Sequence, residues 1–145
     1  MTIASLYNHT RARFLDGTFK VTDSYVANLY STLVFDATAT TKAAAEVGAT
    51  QLATANGYTQ DVKALTNLSV SIVNTNEAKL DADDVIWTAA GGQLIASFAL
   101  LFNDTHADDA PVLFIDLEGA LLAEDGSDLR LQWDAGGIFT STAPV

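Results

Sequence analysis

The hydrophobic and polar positions of this chain change period along its length, and the changes mark out its elements. From Thr2 to Asp16 apolar residues fall at Ile3, Leu6, Tyr7 and Phe14, a helical stripe with one polar break at Thr10. Gly17 stands where a glycine would end such a helix, and Thr2 where a side chain would cap its start. The pattern predicts a short amphipathic N-terminal helix over residues 1–16. From Ser24 to Tyr30 the period becomes two, with Tyr25, Ala27 and Leu29 on one face and Val26, Asn28 and Tyr30 on the other. This is a strand partly covered on both faces. Residues 31–58 lose the alternation: they are rich in Ala and Thr, are punctuated by Gly48 and Gly57, and have helix propensity only over Thr41–Val47. They read as a long connection holding one further short helix, and a connection of that length in a small domain is usually functional or ordered by a neighbour.

From Asp61 onward short strands alternate with turn residues, as in an antiparallel sandwich rather than a parallel sheet. Leu68, Val70 and Ile72 alternate with Ser69, Ser71 and Val73. Leu94, Ala96, Phe98, Leu100 and Phe102 form the heaviest face of the chain, and the intervening Ile95, Ser97, Ala99 and Leu101 are largely apolar too. This is the central strand. Val112–Leu117 follows, and then Leu129, Leu131 and Trp133 alternate with Arg130, Gln132 and Asp134, a strand with one wet face. The expected fold class is mainly β: an antiparallel β-sandwich forming a single domain over residues 1–145, with a short N-terminal helix and one further short helix.

Composition narrows the function classes. Seven basic residues stand against eighteen acidic ones, a net charge of −11, while 49% of residues are hydrophobic and 17% charged. The balance places the chain among compact globular proteins. It argues against nucleic acid and against anionic membranes, both of which are met by a Lys/Arg surface. The chain has no cysteine, which removes disulfides, thiolate nucleophiles and Cys-ligated zinc. No apolar run is long enough to span a bilayer, and Asn8, His9, Arg11 and Arg13 interrupt any secretory core near the start. The N-x-[ST] matches at Asn8, Asn67 and Asn103 therefore read as chance.

Candidate chemistry is sparse. Asp81, Asp83 and Asp84 could hold a cation or form an acid/base pair, but the glycine and the distant bidentate Glu of a calcium loop are missing at the required offsets. They read as a solvated turn entering the Val85-Ile86-Trp87 strand. Asp125-Gly126-Ser127-Asp128 reads as a hairpin turn before it reads as a cation site. His106 lies among Asp104, Asp108 and Asp109, yet the only other histidine is His9, too few for zinc or for a Ser-His-Asp arrangement without a G-x-S-x-G elbow. Gly91-Gly92 and Gly136-Gly137 lack the Lys-[Ser/Thr] of a phosphate loop and read as turns or bulges. Trp87, Phe98, Phe102, Phe114, Trp133 and Phe139 read as core. No catalytic, cofactor-binding or metal residue is expected.

One succession of motifs carries more. Asp81-Ala82-Asp83-Asp84-Val85-Ile86-Trp87 precedes a strand ending in Leu101-Phe102-Asn103-Asp104-Thr105. Then come Pro111-Val112-Leu113-Phe114-Ile115-Asp116-Leu117 and Leu129-Arg130-Leu131-Gln132-Trp133-Asp134-Ala135-Gly136-Gly137-Ile138-Phe139-Thr140. This order resembles a family of small virion structural proteins of tailed bacteriophages, strongly over residues 81–140 and more loosely before them; the Ala/Thr-rich Phe35–Thr54 departs from the family pattern. The resemblance implies a jelly-roll-like sandwich without enzymatic activity or cofactors. Its implied role is to decorate or cement the capsid, with the major capsid protein or another virion protein and copies of itself as partners. The implied location is the virion, after synthesis in the host cytoplasm, with tail or neck as the alternative to the capsid surface.

A net charge of −11 suits a protein that must stay soluble before it assembles. Binding then falls to apolar or backbone contacts. The expected contact residues are Ile3, Leu6, Tyr7 and Phe14 on the N-terminal helix, or the 31–58 connection, with self-association through a sheet edge or face. The alternative role for that helix is to cover one end of the sandwich. A competing reading, a small carbohydrate- or ligand-binding β-sandwich module, would gain from an exposed aromatic cluster, for example Tyr25 and Tyr30, around a sugar-sized groove.

Overall fold

A computed structural model describes residues 3–142. In chain order the elements are β1 (Ile3–Leu6), α1 (Asn8–Leu15), β2 (Tyr25–Thr32), α2 (Lys42–Ala45), β3 (Thr50–Gln51), β4 (Ser69–Asn74) and β5 (Glu77–Asp81). They continue with β6 (Val85–Thr88), β7 (Leu94–Asn103), β8 (Pro111–Ala123), β9 (Asp128–Leu131) and β10 (Phe139–Thr142). The fold is mainly β with antiparallel pairing throughout, as the alternation predicts. A five-stranded sheet has the order β1-β8-β7-β2-β3, a three-stranded sheet β10-β5-β4, and β6 pairs with β9.

The middle of the five-stranded sheet is buried on both faces, which is why β2 reads as apolar on both sides. One face carries Tyr25, Ala27, Leu29, Ala99, Leu101, Leu113 and Ile115 into the main core, where they meet Leu80 of β5, Val85 and Trp87 of β6, and Leu129 and Leu131 of β9. The other carries Tyr30, Leu100 and Phe114 against Leu33, Ala39 and Ala45 of the connection. Residues 33–45 of this segment are thus a lid over the sheet, and within it Thr41 caps α2, its side chain accepting from Ala44 N.

The single heavy face expected along Leu94–Phe102 is divided. The pairing of β7 with β8 slips between Ala96 and Phe98, so Leu94 and Ala96 join Ala99 and Leu101 in the main core while Leu100 packs on the opposite side. The change of face is made by β7 at this slip, whereas Leu113, Ile115, Leu117 and Ala123 of β8 stay in the main core on one phase. The extra residues of the slip lie on β8, where Glu118 and Gly119 adopt positive φ.

The N-terminal helix also needs correcting. Residues 3–6 are a strand, paired in register from Ile3 opposite Asp116 to Leu6 opposite Leu113, and the helix begins only at Asn8. A short isolated helix is marginal, and β8 offers this segment a ladder instead. Thr2, the expected cap, lies outside the described residues; the N-cap position is Tyr7, with extended backbone and no side-chain cap bond. Thr10, the polar break in the stripe, is buried and donates to Val112 O at 2.8 Å.

The motif residues hold the second layer together. Asp84 accepts from Trp133 N at 3.2 Å, and the Trp133 indole donates to Asp83 O at 3.0 Å. Gly137, at φ +75°, passes so close to β5 that a Cβ would sit 2.3 Å from Leu80 O, and the next amide, Ile138 N, bonds that carbonyl at 2.7 Å. Asp125–Asp128 is not a hairpin turn: it crosses from β8 in one sheet to β9 in another, with Asp125 accepting from Gly91 N and Asp128 from Thr88 Oγ1.

Candidate interaction surface

The six expected contact residues do not form one surface. Ile3 is exposed on β1 and Leu6 is half-buried at its end. Tyr7 and Tyr30 lie in the core beneath the connection. Phe14 packs among Phe19, Tyr25 and Phe139, its ring centroids 5.4 to 6.0 Å from theirs. Tyr25 is buried and donates from its hydroxyl to Lys20 O at 2.8 Å. The contact assignment is therefore corrected for Tyr7, Tyr25 and Tyr30: their rings satisfy the core, because β2 and the start of α1 run under cover. Burial also pushes all three phenols well above their usual range, with Asp36 and Glu46 adding to it at Tyr7, Asp23 at Tyr25 and Glu46 at Tyr30.

The densest polar cluster lies where the lid meets β2. Lys42 Nζ stands 2.9 Å from Asp61 Oδ1 and 3.2 Å from Glu46 Oε1; the Tyr30 hydroxyl donates to Glu46, and Asn28 donates to Asp61. Burial works against the Lys42 charge, but the bonds to Asp61 and Glu46 outweigh it and raise its pKa. At Asp61 burial is likewise outweighed, by Asn28 and Lys42, and the carboxyl is held below its usual range. Every member has a partner, so the cluster fastens the lid. Three further carboxylates are also paired: Asp81 binds Lys79 at 2.8 Å, Asp83 accepts from Thr66 and Asn67, and Asp23 accepts from Asn103 beside His106, which donates to Thr18 O. Among the described residues no group of three or more His, Cys, Asp or Glu is arranged to hold a metal ion.

What stands uncovered is the hairpin of β4 and β5. All six residues of β4 are exposed, with Ile72 at 84% and Val70 at 59%, whereas in β5 Leu80 is buried and anchors the sheet. The register sets Val70 opposite Leu80 and Ile72 opposite Ala78, one apolar face that passes from the body at Phe139 out to the turn. The turn is closed by Asn74, which accepts from Asn76 N and donates to Glu77. At the base of this face lies a groove of about 230 Å³ between α1 and the hairpin, where Leu15 and Val21 are exposed beside Val70. Full burial of a Val or Ile side chain is worth about 1.5–3 kcal/mol, so the bare hairpin leaves several kcal/mol of contact unrealised. β4 is moreover the outer strand of its sheet, with one edge of backbone groups free to pair.

A larger trough of about 630 Å³ runs between β1, the start of α1 and β10, with Arg11 among its lining residues. Leu6 is the expected contact residue that reaches it without being buried.

Sequence reasoning passed over Val70, Ile72 and Leu15. Period two marks a strand and assumes that one face is covered; the available signal was that Ser69–Asn74 holds three aliphatic residues and no charge in so acidic a chain. Compared with family models, with curated proteins and with solved structures, this chain has no match.

Proposed function

We propose that this protein is a non-enzymatic virion structural protein of a tailed bacteriophage, decorating or cementing the capsid shell by binding the major capsid protein and copies of itself. The observation that carries the reading is the uncovered β4–β5 hairpin, with its apolar face and free edge joined to the groove beside α1. Such a surface offers apolar contact and main-chain pairing, the means of association left to an acidic protein that other acidic surfaces repel. The resemblance of the motif succession over residues 81–140 to small virion proteins of tailed bacteriophages supports the same reading. The sugar-groove alternative loses its platform with Tyr25 and Tyr30 buried.

The test is association with particles. Heads assembled in cells that also make this chain are banded by density and imaged by electron microscopy with an antibody against it. Label spread over the shell supports decoration. Label in a small ring moves the protein to the neck or tail, and a chain that stays wholly outside the particle band overturns the proposal.

A further inference from the structure

Taking the β4–β5 hairpin as the contact surface, as the proposed function does, we infer that β4 pairs with β4 of a second copy. The two strands run antiparallel about a two-fold axis, joining two three-stranded sheets into one of six.

The edge itself is the first argument. Exposed strand edges are ordinarily blunted by lysine, proline, an inward charge or brevity. The edge strand β3 is two residues long, and β10 presents Thr140, Ser141 and Thr142. β4 has six exposed residues, Ser-Val-Ser-Ile-Val-Asn, and its one irregularity lies at the far end, between Ile72 and Asn74.

Charge selects the occupant. The chain carries −11, yet β4 has no ionisable side chain, so a basic or acidic partner strand would find nothing on it to match. A second copy would. The nearest charges on the sheet, Glu77, Lys79 and Asp81, sit one strand back on β5. At about 4.8 Å between strands, β5 and its symmetry mate are three spacings apart, about 14 Å. That exceeds the screening length of about 8 Å at physiological salt, so the pairing escapes the repulsion that the rest of the surface imposes.

The sequence of β4 is also self-complementary. With Ser71 on the two-fold axis, Val70 lies opposite Ile72 of the copy and Ile72 opposite Val70, both on the face that continues the apolar groove, while the two Ser71 hydroxyls meet on the other face. A six-residue edge is small for a stable interface. The pair forms at high protein concentration and gains strength when copies are held side by side on a shell.

The absence of cysteine makes the test clean, because Ser71→Cys creates the sole thiol of the chain. Oxidation or a short bis-maleimide should convert Ser71→Cys to covalent dimer several-fold faster than Thr40→Cys, an exposed loop control. In sedimentation, the mass of the unmodified protein should rise toward twice the monomer with concentration, and Ile72→Lys should abolish the rise while leaving the melting curve in place. Equal cross-linking of the two cysteines, or an undiminished rise in Ile72→Lys, overturns the inference. Particle binding by a protein that stays monomeric would overturn it while sparing the proposed function. Cross-linking at Ser71 without particle binding would do the reverse.

Discussion

β7 and β4 are both antiparallel strands of alternating apolar residues, and they end in opposite environments. β7 runs between β8 and β2 with a core on each face, and Ala99 and Leu100 have no accessible surface. β4 has β5 on one side and nothing covering either face. The difference lies in what arrives from far along the chain. The lid of residues 33–45 closes one side of β7 and the β5, β6 and β9 strands close the other, while α1 stops at Leu15, level with the base of the hairpin. Alternation marks a strand, and the neighbours decide whether it is core or contact surface.

The contrast can be tested at decreasing cost. Leu100→Ala opens a cavity at the most enclosed point of β7 and should cost about 2–5 kcal/mol in chemical denaturation; a loss below 1 kcal/mol would mean the lid does not seal that face. Gly137→Ala strikes the seam between the two regions, where a Cβ meets the Leu80 carbonyl at positive φ, and should cost about 2–4 kcal/mol. Its hydrogen exchange should rise most in β5 and β10; a uniform change would deny that Gly137 holds the hairpin to the body.

Titration separates the regions without mutation. All four tyrosines, Tyr7, Tyr25, Tyr30 and Tyr58, lie in the body, and burial raises each phenol above its usual 10.0. Groups raised in the folded state contribute stability that is complete below pH 10 and is lost as pH climbs toward their folded values. Absorbance at 295 nm should therefore show phenolate appearing together with loss of the circular dichroism signal, above pH 10. Phenolate formed near pH 10 with the fold intact would contradict the burial. On the acid side Asp61 is depressed, so its contribution is present above 3.8 and lost as pH falls below it. The smallest effect belongs to β4: Val70→Ser with Ile72→Ser should change monomer stability by less than about 1 kcal/mol, and a larger loss would show that the hairpin is already covered.

Much of the fold was legible. Tyr25–Tyr30, Leu94–Phe102 and Val112–Leu117 are strands where period two placed them, and Thr41 does start the short helix of the connection. β5 and β10 were not anticipated, because Glu77–Asp81 mixes charges with one buried residue and Phe139–Thr142 is mostly polar. Both are strands by virtue of pairing with each other. Ile3–Leu6 fits a helical stripe and an edge strand equally well, and the ladder with β8 decides it. The contact residues were the least legible part: Tyr7 and Tyr30 are amphipathic enough to suit a surface, and their burial depends on a lid folded back from residues that show almost no pattern.

By itself the sequence determined the β class, the central strands, the acidity and the lack of thiols, since each follows from composition or from neighbours two to four residues apart. The tertiary structure decided which apolar residues are core, which end of the sheet stays bare and where the second layer is fastened. Those depend on contacts between residues far apart in the chain, such as Gly137 with Leu80 and Trp133 with Asp84, and local periodicity carries no record of them.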